Sequence, residues 1–180
     1  MASDAASTLL PGPWTHRLVS ANGARFHVAL AGPDDDRDAP LVVLLHGFPQ
    51  IWWAWRSQIA ALADAGLQVA AMDLRGFGAS DKTPRGYDTA TLCADVAGVI
   101  GSLGRSSAVV VGHGWGGWVA WSMPTMQPGA VSAVGSVSMP HPLQARRAVA
   151  STPSTMRLLA RAQVPFAPER AIARGSSSAT

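Results

Sequence analysis

The sequence VVVGHGWGGW at residues 109–118 decides the fold. A short, wholly apolar run leads at once into a stretch of glycines, and a segment of helical character follows. Small residues at such a turn let a strand and a helix pack closely against each other. The pattern predicts a buried strand that passes through a sharp turn directly into a helix.

Apolar runs and helical stretches alternate on both sides of this turn. Buried strands are predicted at 41–45, 67–72, 108–111 and 131–139, with helices between them at about 53–65, at 89–103 and from the glycines at 112–117 to about 127. Asn22-Gly23 predicts a hairpin turn between two earlier strands. The order predicts an α/β fold with an N-terminal hairpin and a mostly parallel sheet that carries helices on both faces.

The composition excludes several classes of function. Of the 180 residues, 48% are hydrophobic and 14% are charged, and the formal net charge is +3. Basic residues form no block and do not interleave with aromatic ones, so no nucleic-acid partner is expected. No apolar stretch is long enough to span a membrane, so no membrane partner is expected. The single cysteine, Cys93, suits a reducing compartment, and a cytoplasmic location is predicted.

Three strand ends carry unusual loops. In an open parallel sheet, ligands bind outside the carboxyl ends of the strands. The loops are His46-Gly47-Phe48-Pro49, residues 73–80 (DLRGFGAS) and residues 112–117 (GHGWGG). The functional site is therefore predicted where these three loops meet.

Together the three loops resemble the α/β-hydrolase superfamily, and its epoxide-hydrolase and haloalkane-dehalogenase branch in particular. That branch has a His-Gly-x-Pro loop, an Asp-x-Arg-Gly-x-Gly-x-Ser loop and a Gly-His-Asp-Trp-Gly-Gly elbow, found here in the same order. The resemblance implies the N-terminal part of an α/β-hydrolase core over residues 1–142, truncated before the last strands. It further implies the start of a helical cap over 143–174, and residues 175–180 are expected to form a disordered tail.

The resemblance also assigns roles at the site. The backbone N–H groups of Phe48 and Trp115 correspond to the oxyanion hole. The family's covalent nucleophile, Asp or Ser, corresponds to Gly114, which has no side chain that could attack a substrate. The family's histidine base follows a later strand that has no counterpart in this sequence. The expectation is a pseudoenzyme that retains a site for an apolar small molecule, the ancestral activity being epoxide-hydrolase-like hydrolysis.

Further candidates lie in the site loops, namely His46, Gly47, Pro49, His113 and His141. The resemblance implies that His46 and His113 orient loops. His141 lies at a strand end without the partner that a catalytic base needs.

Other polar residues are expected to have structural roles. His16 and His27 are on the hairpin and are predicted to lie away from the site. Asp73 and Asp81 are predicted to accept hydrogen bonds in their loop rather than to act as acids. The acidic run at 34–38 lacks the turn glycine of a calcium loop, so no metal site is predicted.

Alternative interpretations remain open. Gly112-x-Gly114-x-x-Gly117 also fits a dinucleotide-binding pattern, but no acidic residue that could hold a ribose lies between Asp95 and Glu169, so no cofactor is predicted. A second alternative is a non-catalytic binding module with an apolar pocket lined by one or two of the tryptophans. A third is a truncated or frame-shifted remnant of a longer hydrolase.

The strand predicted at 131–139 has no charge and no proline. Natural sheet edges use such residues for protection against pairing with other chains. If no further strand covers it, the strand predicts self-association of the chain.

Overall fold

The computed structural model describes residues 8–33, 39–144 and 147. The chain divides into two compact units, residues 1–139 and 140–180. The elements of the first unit are, in chain order, β1 (Thr15–Ala21), β2 (Ala24–Ala31), β3 (Leu41–Leu45), α1 (Arg56–Asp64), β4 (Gln68–Met72), α2 (Thr89–Ser102), β5 (Ala108–His113), α3 (Trp115–Met126) and β6 (Val131–Val137). Strands and helices alternate as the sequence predicts.

The six strands form one sheet in the order β1-β2-β4-β3-β5-β6. The hairpin strand β2 pairs antiparallel with both β1 and β4. The remaining pairs, β3 with β4, β3 with β5 and β5 with β6, are parallel. The predicted α/β fold with a mostly parallel sheet is confirmed, and the loops after β3, β4 and β5 leave the same edge of the sheet.

Both faces of the sheet are buried, because alternate residues of a strand point to opposite faces. On β3, Val43 and Leu45 pack in the cluster that includes α2 and α3. Val42 and Leu44 pack in a second cluster with Trp52 and α1. Helices therefore cover both faces, as predicted, and the central strands need apolar residues at every position.

Several boundaries differ from the sequence prediction, and β5, predicted over 108–111, extends to His113. The helix predicted over 53–65 is divided into a 3-10 helix, Trp52–Trp55, and α1. The strand predicted to reach residue 139 ends at Val137. Ser138 has a φ of 57°, in the left-handed region, and this conformation breaks the extended backbone. Patterns of apolar residues locate an element more reliably than they locate its ends.

Helix α2 begins and packs as its sequence predicts. It begins after Asp88, whose side chain accepts a hydrogen bond from the N–H of Thr91 at 2.9 Å. Its apolar face is buried in the core, and it includes Cys93. Burial, together with the charge of Asp95, raises the pKa of the Cys93 thiol to about 11. Cys93 is thus a core residue, as its position beside apolar helix residues predicts.

The second unit begins at Pro140, and only 140–144 and 147 of it belong to the described residues. The predictions of a cap over 143–174 and of a disordered tail at 175–180 fall almost wholly outside them, as does the acidic run at 34–38. Within the described ranges, no helix is long and apolar enough to cross a membrane. The same ranges contain no group of three or more side chains suited to hold a metal ion.

Candidate functional site

Gly114 lies at the turn between β5 and α3, where the chain makes the sharp elbow that the glycines predict. Its φ of 52° and ψ of −116° are in a region that residues with a side chain rarely adopt. Its N–H donates to Val137 O at 3.0 Å, which fixes the turn against β6. Among the described residues, a Cβ atom added here would have only Gly47 Cα within 4 Å, at 3.7 Å, so this part of the chain leaves space above the elbow.

The neighbouring glycines have a different role, because each is enclosed by other atoms. A Cβ on Gly112 would lie 2.1 Å from Gly116 O, and a Cβ on Gly116 would lie 2.3 Å from Leu45 O. A Cβ on Gly117 would lie 2.8 Å from Ser136 Oγ. Close packing of β5, α3 and the end of β3 therefore accounts for all three glycines.

The loop after β3 lies against the elbow. Gln50 joins the two: its Oε1 accepts hydrogen bonds from Gly47 N–H at 3.3 Å and from His113 Nδ1 at 3.1 Å. Its own N–H donates to Gly47 O at 2.9 Å, which closes a turn around Phe48 and the cis peptide bond before Pro49. The sequence analysis did not identify Gln50. A polar side chain directly after a turn-forming proline is the only local sign of this role.

His46 is buried and holds the loops after β3 and β4 together. Its Nε2 accepts a hydrogen bond from Leu74 N–H at 3.0 Å, so Nδ1 carries the proton and donates to Gly47 O at 2.9 Å. Burial lowers the pKa of His46, against the opposing effects of the Gly47 carbonyl and of Asp73. Both ring nitrogens are occupied, and His46 therefore orients loops.

Asp73, the first residue after β4, is fully buried and accepts three hydrogen bonds. Trp52 N–H donates to Oδ1 at 2.8 Å, and His27 Nδ1 and Ala79 N–H donate to Oδ2 at 2.8 and 3.0 Å. Burial alone would raise the pKa of Asp73, but these hydrogen bonds lower it below its ordinary value of 3.8. Asp73 is an acceptor rather than an acid, as predicted.

The prediction that the hairpin histidines lie away from the site loops is wrong for His27. His27 is buried, and its ring contacts Asp73 because β2 pairs directly with β4. The sequence does not reveal this contact, since the two residues are 46 positions apart and β2 pairs with β4 rather than with β3, the next strand along the chain. Asp81 is at the surface and accepts from Arg25 N–H at 2.9 Å, as the acceptor role predicts.

The loop after β4 is also fixed to α2 by a buried ion pair. Arg75 Nε donates to Asp95 Oδ2 at 2.8 Å, and both side chains are almost fully buried. Asn22 Nδ2, in the hairpin turn, donates to the same carboxylate at 2.7 Å. The loops after β3 and β4 are therefore held by buried polar groups, whereas the elbow is joined to the loop after β3 through the exposed side chain of Gln50.

An apolar pocket of about 370 Å³ opens beside the elbow. It is lined by Phe48, Leu74, Arg75, Phe77, Tyr87, Leu92 and Trp115. Three of its aromatic side chains are unusually exposed for their size: Phe48 by 68%, Trp115 by 44% and Tyr87 by 44%. Of the tryptophans singled out in the sequence, Trp115 lines the pocket whereas Trp52 and Trp55 are buried in the core. The sequence analysis missed Phe77 and Tyr87 because aromatic residues in a glycine-rich loop carry no periodic pattern.

His141 belongs to the second unit and is exposed. Its Nδ1 accepts a hydrogen bond from Leu143 N–H at 3.3 Å, and its carbonyl accepts from Gln144 N–H at 2.8 Å.

Comparison with known proteins agrees with this architecture. A family model described as the alpha/beta hydrolase fold matches residues 40–174. Epoxide hydrolase B of Mycobacterium tuberculosis is 46% identical over 127 residues, which are 69% of this chain and 35% of that protein. The AB hydrolase superfamily protein YfhM of Bacillus subtilis is 43% identical over 129 residues, which are 70% and 44% of the two chains. This chain therefore spans less than half the length of these curated relatives.

A solved structure of an epoxide hydrolase from an endophytic Streptomyces superimposes with a TM-score of 0.68 at 40% identity. The match covers 72% of this chain and 38% of that one. The family model alone covers well over half of the sequence. The chain belongs to the α/β-hydrolase family, and it resembles epoxide hydrolases within it.

Proposed function

We propose that this chain binds an uncharged, apolar small molecule of the epoxide class in the pocket beside the elbow, and that it does so without covalent catalysis. One observation carries the proposal. The residue at the tip of the elbow is Gly114, above which the described residues leave open space, and an aromatic-lined pocket lies beside it. The names of its relatives supply the ligand class.

The pocket favours an apolar ligand because its walls are mostly hydrocarbon. Burial of an aromatic side chain contributes about 1.5–3 kcal/mol, and Phe48, Tyr87 and Trp115 all have exposed ring surface to cover. Arg75 is the one charged residue in the lining, and its guanidinium is already paired with Asp95. A charged ligand would lose its water without gaining a partner.

Two backbone donors are proposed to orient a polar atom of the ligand. Trp115 is the first residue of α3, and N–H groups in the first turn of a helix have no partner within the helix. Among the described residues, none accepts a hydrogen bond from Phe48 N–H. An epoxide or carbonyl oxygen over Gly114 is a suitable acceptor for both donors.

The absence of covalent catalysis follows from the side chains at the elbow. Glycine cannot form the covalent intermediate that a carboxylate or hydroxyl nucleophile forms. Within the described part of the chain, the nearby polar groups are committed elsewhere: His46 uses both ring nitrogens and Asp73 uses both oxygens. His113 Nδ1 is engaged by Gln50.

Titration of the 180-residue chain with styrene oxide in a calorimeter tests the proposal, with parallel chromatography for the diol. Saturable binding without diol formation is expected. Phe48→Ala and Trp115→Ala should each weaken binding by about tenfold, in line with the loss of part of an aromatic contact. Leu18→Ala, which removes an exposed side chain on β1, is the matched control and should bind as the wild type does. Diol above the uncatalysed background, or a covalent adduct by mass spectrometry, would overturn the non-covalent assignment.

We also propose that the chain self-associates through β6. In the sheet formed by the described residues β6 is an edge strand, and it contains neither charge nor proline. The opposite edge strand, β1, carries an exposed Arg17, which is a protective feature of sheet edges. Light scattering during size-exclusion chromatography should give a mass above that of the monomer, and Val134→Lys should restore the monomer. A wild-type monomer at tens of micromolar, a range in which exposed edges associate, contradicts the proposal.

A further inference from the structure

Three hydrogen bonds in series connect the N-terminal segment to the loop after β4. His16 Nε2 lies 3.0 Å from Leu10 O, and His16 Nδ1 lies 2.8 Å from His27 Nε2. His27 Nδ1 in turn lies 2.8 Å from Asp73 Oδ2. His27 and Asp73 are fully buried and His16 is half-buried. Water therefore has little access to replace one of the three hydrogen bonds.

The two ends of this series are acceptors. Leu10 O is a carbonyl oxygen and cannot donate, and it also accepts a hydrogen bond from Trp14 Nε1 at 2.9 Å. His16 Nε2 must therefore carry a proton. At the other end Asp73 accepts from two backbone N–H groups as well, as expected of an ionised carboxylate. His27 Nδ1 must then carry a proton too.

The central contact needs a third proton. His16 Nδ1 and His27 Nε2 face each other at 2.8 Å, and two unprotonated ring nitrogens at that distance would repel each other. Two neutral imidazoles carry only two protons, whereas three hydrogen bonds between these groups require three. We infer that His16, His27 and Asp73 form a proton-binding site, in which the two imidazoles share one proton beyond those of their neutral forms and the carboxylate balances its charge.

The surroundings fit a cation that is balanced by a single carboxylate. The imidazole rings lie 28° from parallel with centroids 5.0 Å apart, and Trp52 packs edge-on against His16 at 5.1 Å and His27 at 5.8 Å. Residues 8–14 and 52–55, which pack around the pair, contain no ionisable side chain. The aromatic surface of Trp52 contributes no proton acceptor that could replace the carboxylate.

The other ionisable groups near His16 and His27 do not balance a positive charge on the pair. His46, beyond Asp73, is neutral because burial lowers its pKa. Arg25, two residues before His27 on β2, is paired with Asp81 at 3.2 Å. Arg17, next to His16 on β1, is exposed, and strand alternation directs it to the opposite face. Asp73 is thus the one negative group that faces the pair among the described residues.

The site makes folding dependent on pH in a defined direction. Histidines of an unfolded chain are mostly neutral above pH 7, so the folded chain binds about one proton more. Stability then falls as pH rises, and the unfolding equilibrium constant should increase by up to about tenfold per pH unit. Loss of the proton would also break one link of the series to Leu10, whereas the hydrogen bond from Trp52 Nε1 to Thr8 O at 2.9 Å would remain.

Long-range ¹H–¹⁵N spectra of the wild-type chain at pH 7.5 test the proton count directly. Three of the four ring nitrogens of His16 and His27 should be protonated, either as one neutral and one cationic ring or as an exchange average. Two neutral tautomers, with two protonated nitrogens in all, would overturn the inference. This measurement needs no variant.

The pH dependence of denaturant unfolding between pH 7 and 8.5 provides a second test. His16→Phe keeps an aromatic ring against Trp52 but removes the need for the third proton, so its stability should vary less with pH than that of the wild type. His141→Gln, at an exposed histidine in the second unit, should retain the wild-type dependence. Equal pH dependence in the wild type and His16→Phe would contradict the shared proton. If His16→Phe does not fold, the spectra of the wild type decide alone.

Discussion

The loops after β4 and β5 leave the same edge of the sheet but differ in how their polar atoms are used. In the loop after β4, buried Asp73 accepts three hydrogen bonds and buried Arg75 is paired with Asp95, and Ser80 Oγ donates to Asp73 O while it accepts from His27 N–H. The elbow after β5 has four glycines, and its tip residue, Gly114, has no side chain. The contrast teaches that the residues that hold the site loops in shape are distinct from the residue at the tip of the elbow.

The largest loss of stability is expected when the polar centre of the loop after β4 is removed. Asp73→Ala leaves two buried donors and one half-buried donor without their acceptor, and we expect a loss of about 3–5 kcal/mol, because each unsatisfied buried donor costs about 1–3 kcal/mol. Denaturant unfolding at pH 7 measures it. Asp81→Ala is the control, because its pair with Arg25 is at the surface and contributes about 1 kcal/mol or less.

The cost of Asp73→Ala should also depend on acidity. Because the folded-state pKa of Asp73 is lowered, its stabilising effect is complete above the ordinary value of 3.8 and is lost as pH falls through the lowered value. The difference between wild type and Asp73→Ala should therefore not shrink between neutral pH and about pH 4, and it should shrink below that pH. A difference that shrinks already at pH 6 would contradict a lowered pKa.

The next largest loss of stability is expected at the tightly packed glycines of the elbow. Gly116→Ala would bring a Cβ within 2.3 Å of Leu45 O and 2.6 Å of His46 O, and neither backbone atom can move aside easily. We expect a loss of about 3 kcal/mol, at the upper end for overpacking. Gly101→Ala is the matched control: it lies in α2 with nothing within 4 Å, and alanine there should stabilise the helix by about 0.5–1 kcal/mol. Equal effects at the two glycines would show that the elbow is not tightly packed.

A smaller effect is expected at the tip of the elbow. Gly114→Ser and Gly114→Asp have space for the side chain but must adopt a φ of 52°. This backbone strain is of the order of 1–3 kcal/mol and should fall below the loss caused by Gly116→Ala. Denaturant unfolding of the three variants gives the order directly. Unchanged stability in Gly114→Ser would mean that the turn relaxes when a side chain is present.

The smallest change in stability is expected at the rim of the pocket. Phe48 is 68% exposed, so Phe48→Ala should alter the free energy of unfolding by about 0.5 kcal/mol or less. The same variant is expected to weaken ligand binding. A stability loss comparable to that of Asp73→Ala would show that Phe48 holds the fold and would remove the distinction between the two loops.

The sequence predicts the fold well because the information is local. Apolar runs such as 41–45 mark buried strands, and Asn22-Gly23, with φ values of 43° and 74°, makes the hairpin turn. Gly47 and Gly114 lie near each other because the loops that contain them follow parallel strands and so leave the same edge of the sheet. Each of these features depends on residues near one another in the sequence or on the general properties of parallel sheets.

The contacts that the sequence does not predict are long-range and polar. His27 and Asp73 meet because a hairpin strand pairs with β4, and no pattern in either segment specifies that partner. Gln50 bridges two loops through one side-chain oxygen, which requires the spatial position of His113. Tyr87 reaches the pocket from a loop without periodicity. Such contacts depend on three-dimensional proximity rather than on residue spacing.

The burial of Cys93 has a practical consequence for spectroscopy. It is the only cysteine in the sequence, and at pH 7 to 8 a thiol with a pKa of about 11 is almost entirely in its unreactive, protonated form. A second cysteine introduced at an exposed position, such as Leu18 on β1 or Phe48 at the pocket rim, would therefore be labelled selectively by maleimide dyes. The native chain needs no cysteine removal before fluorescence or spin-label studies of the pocket.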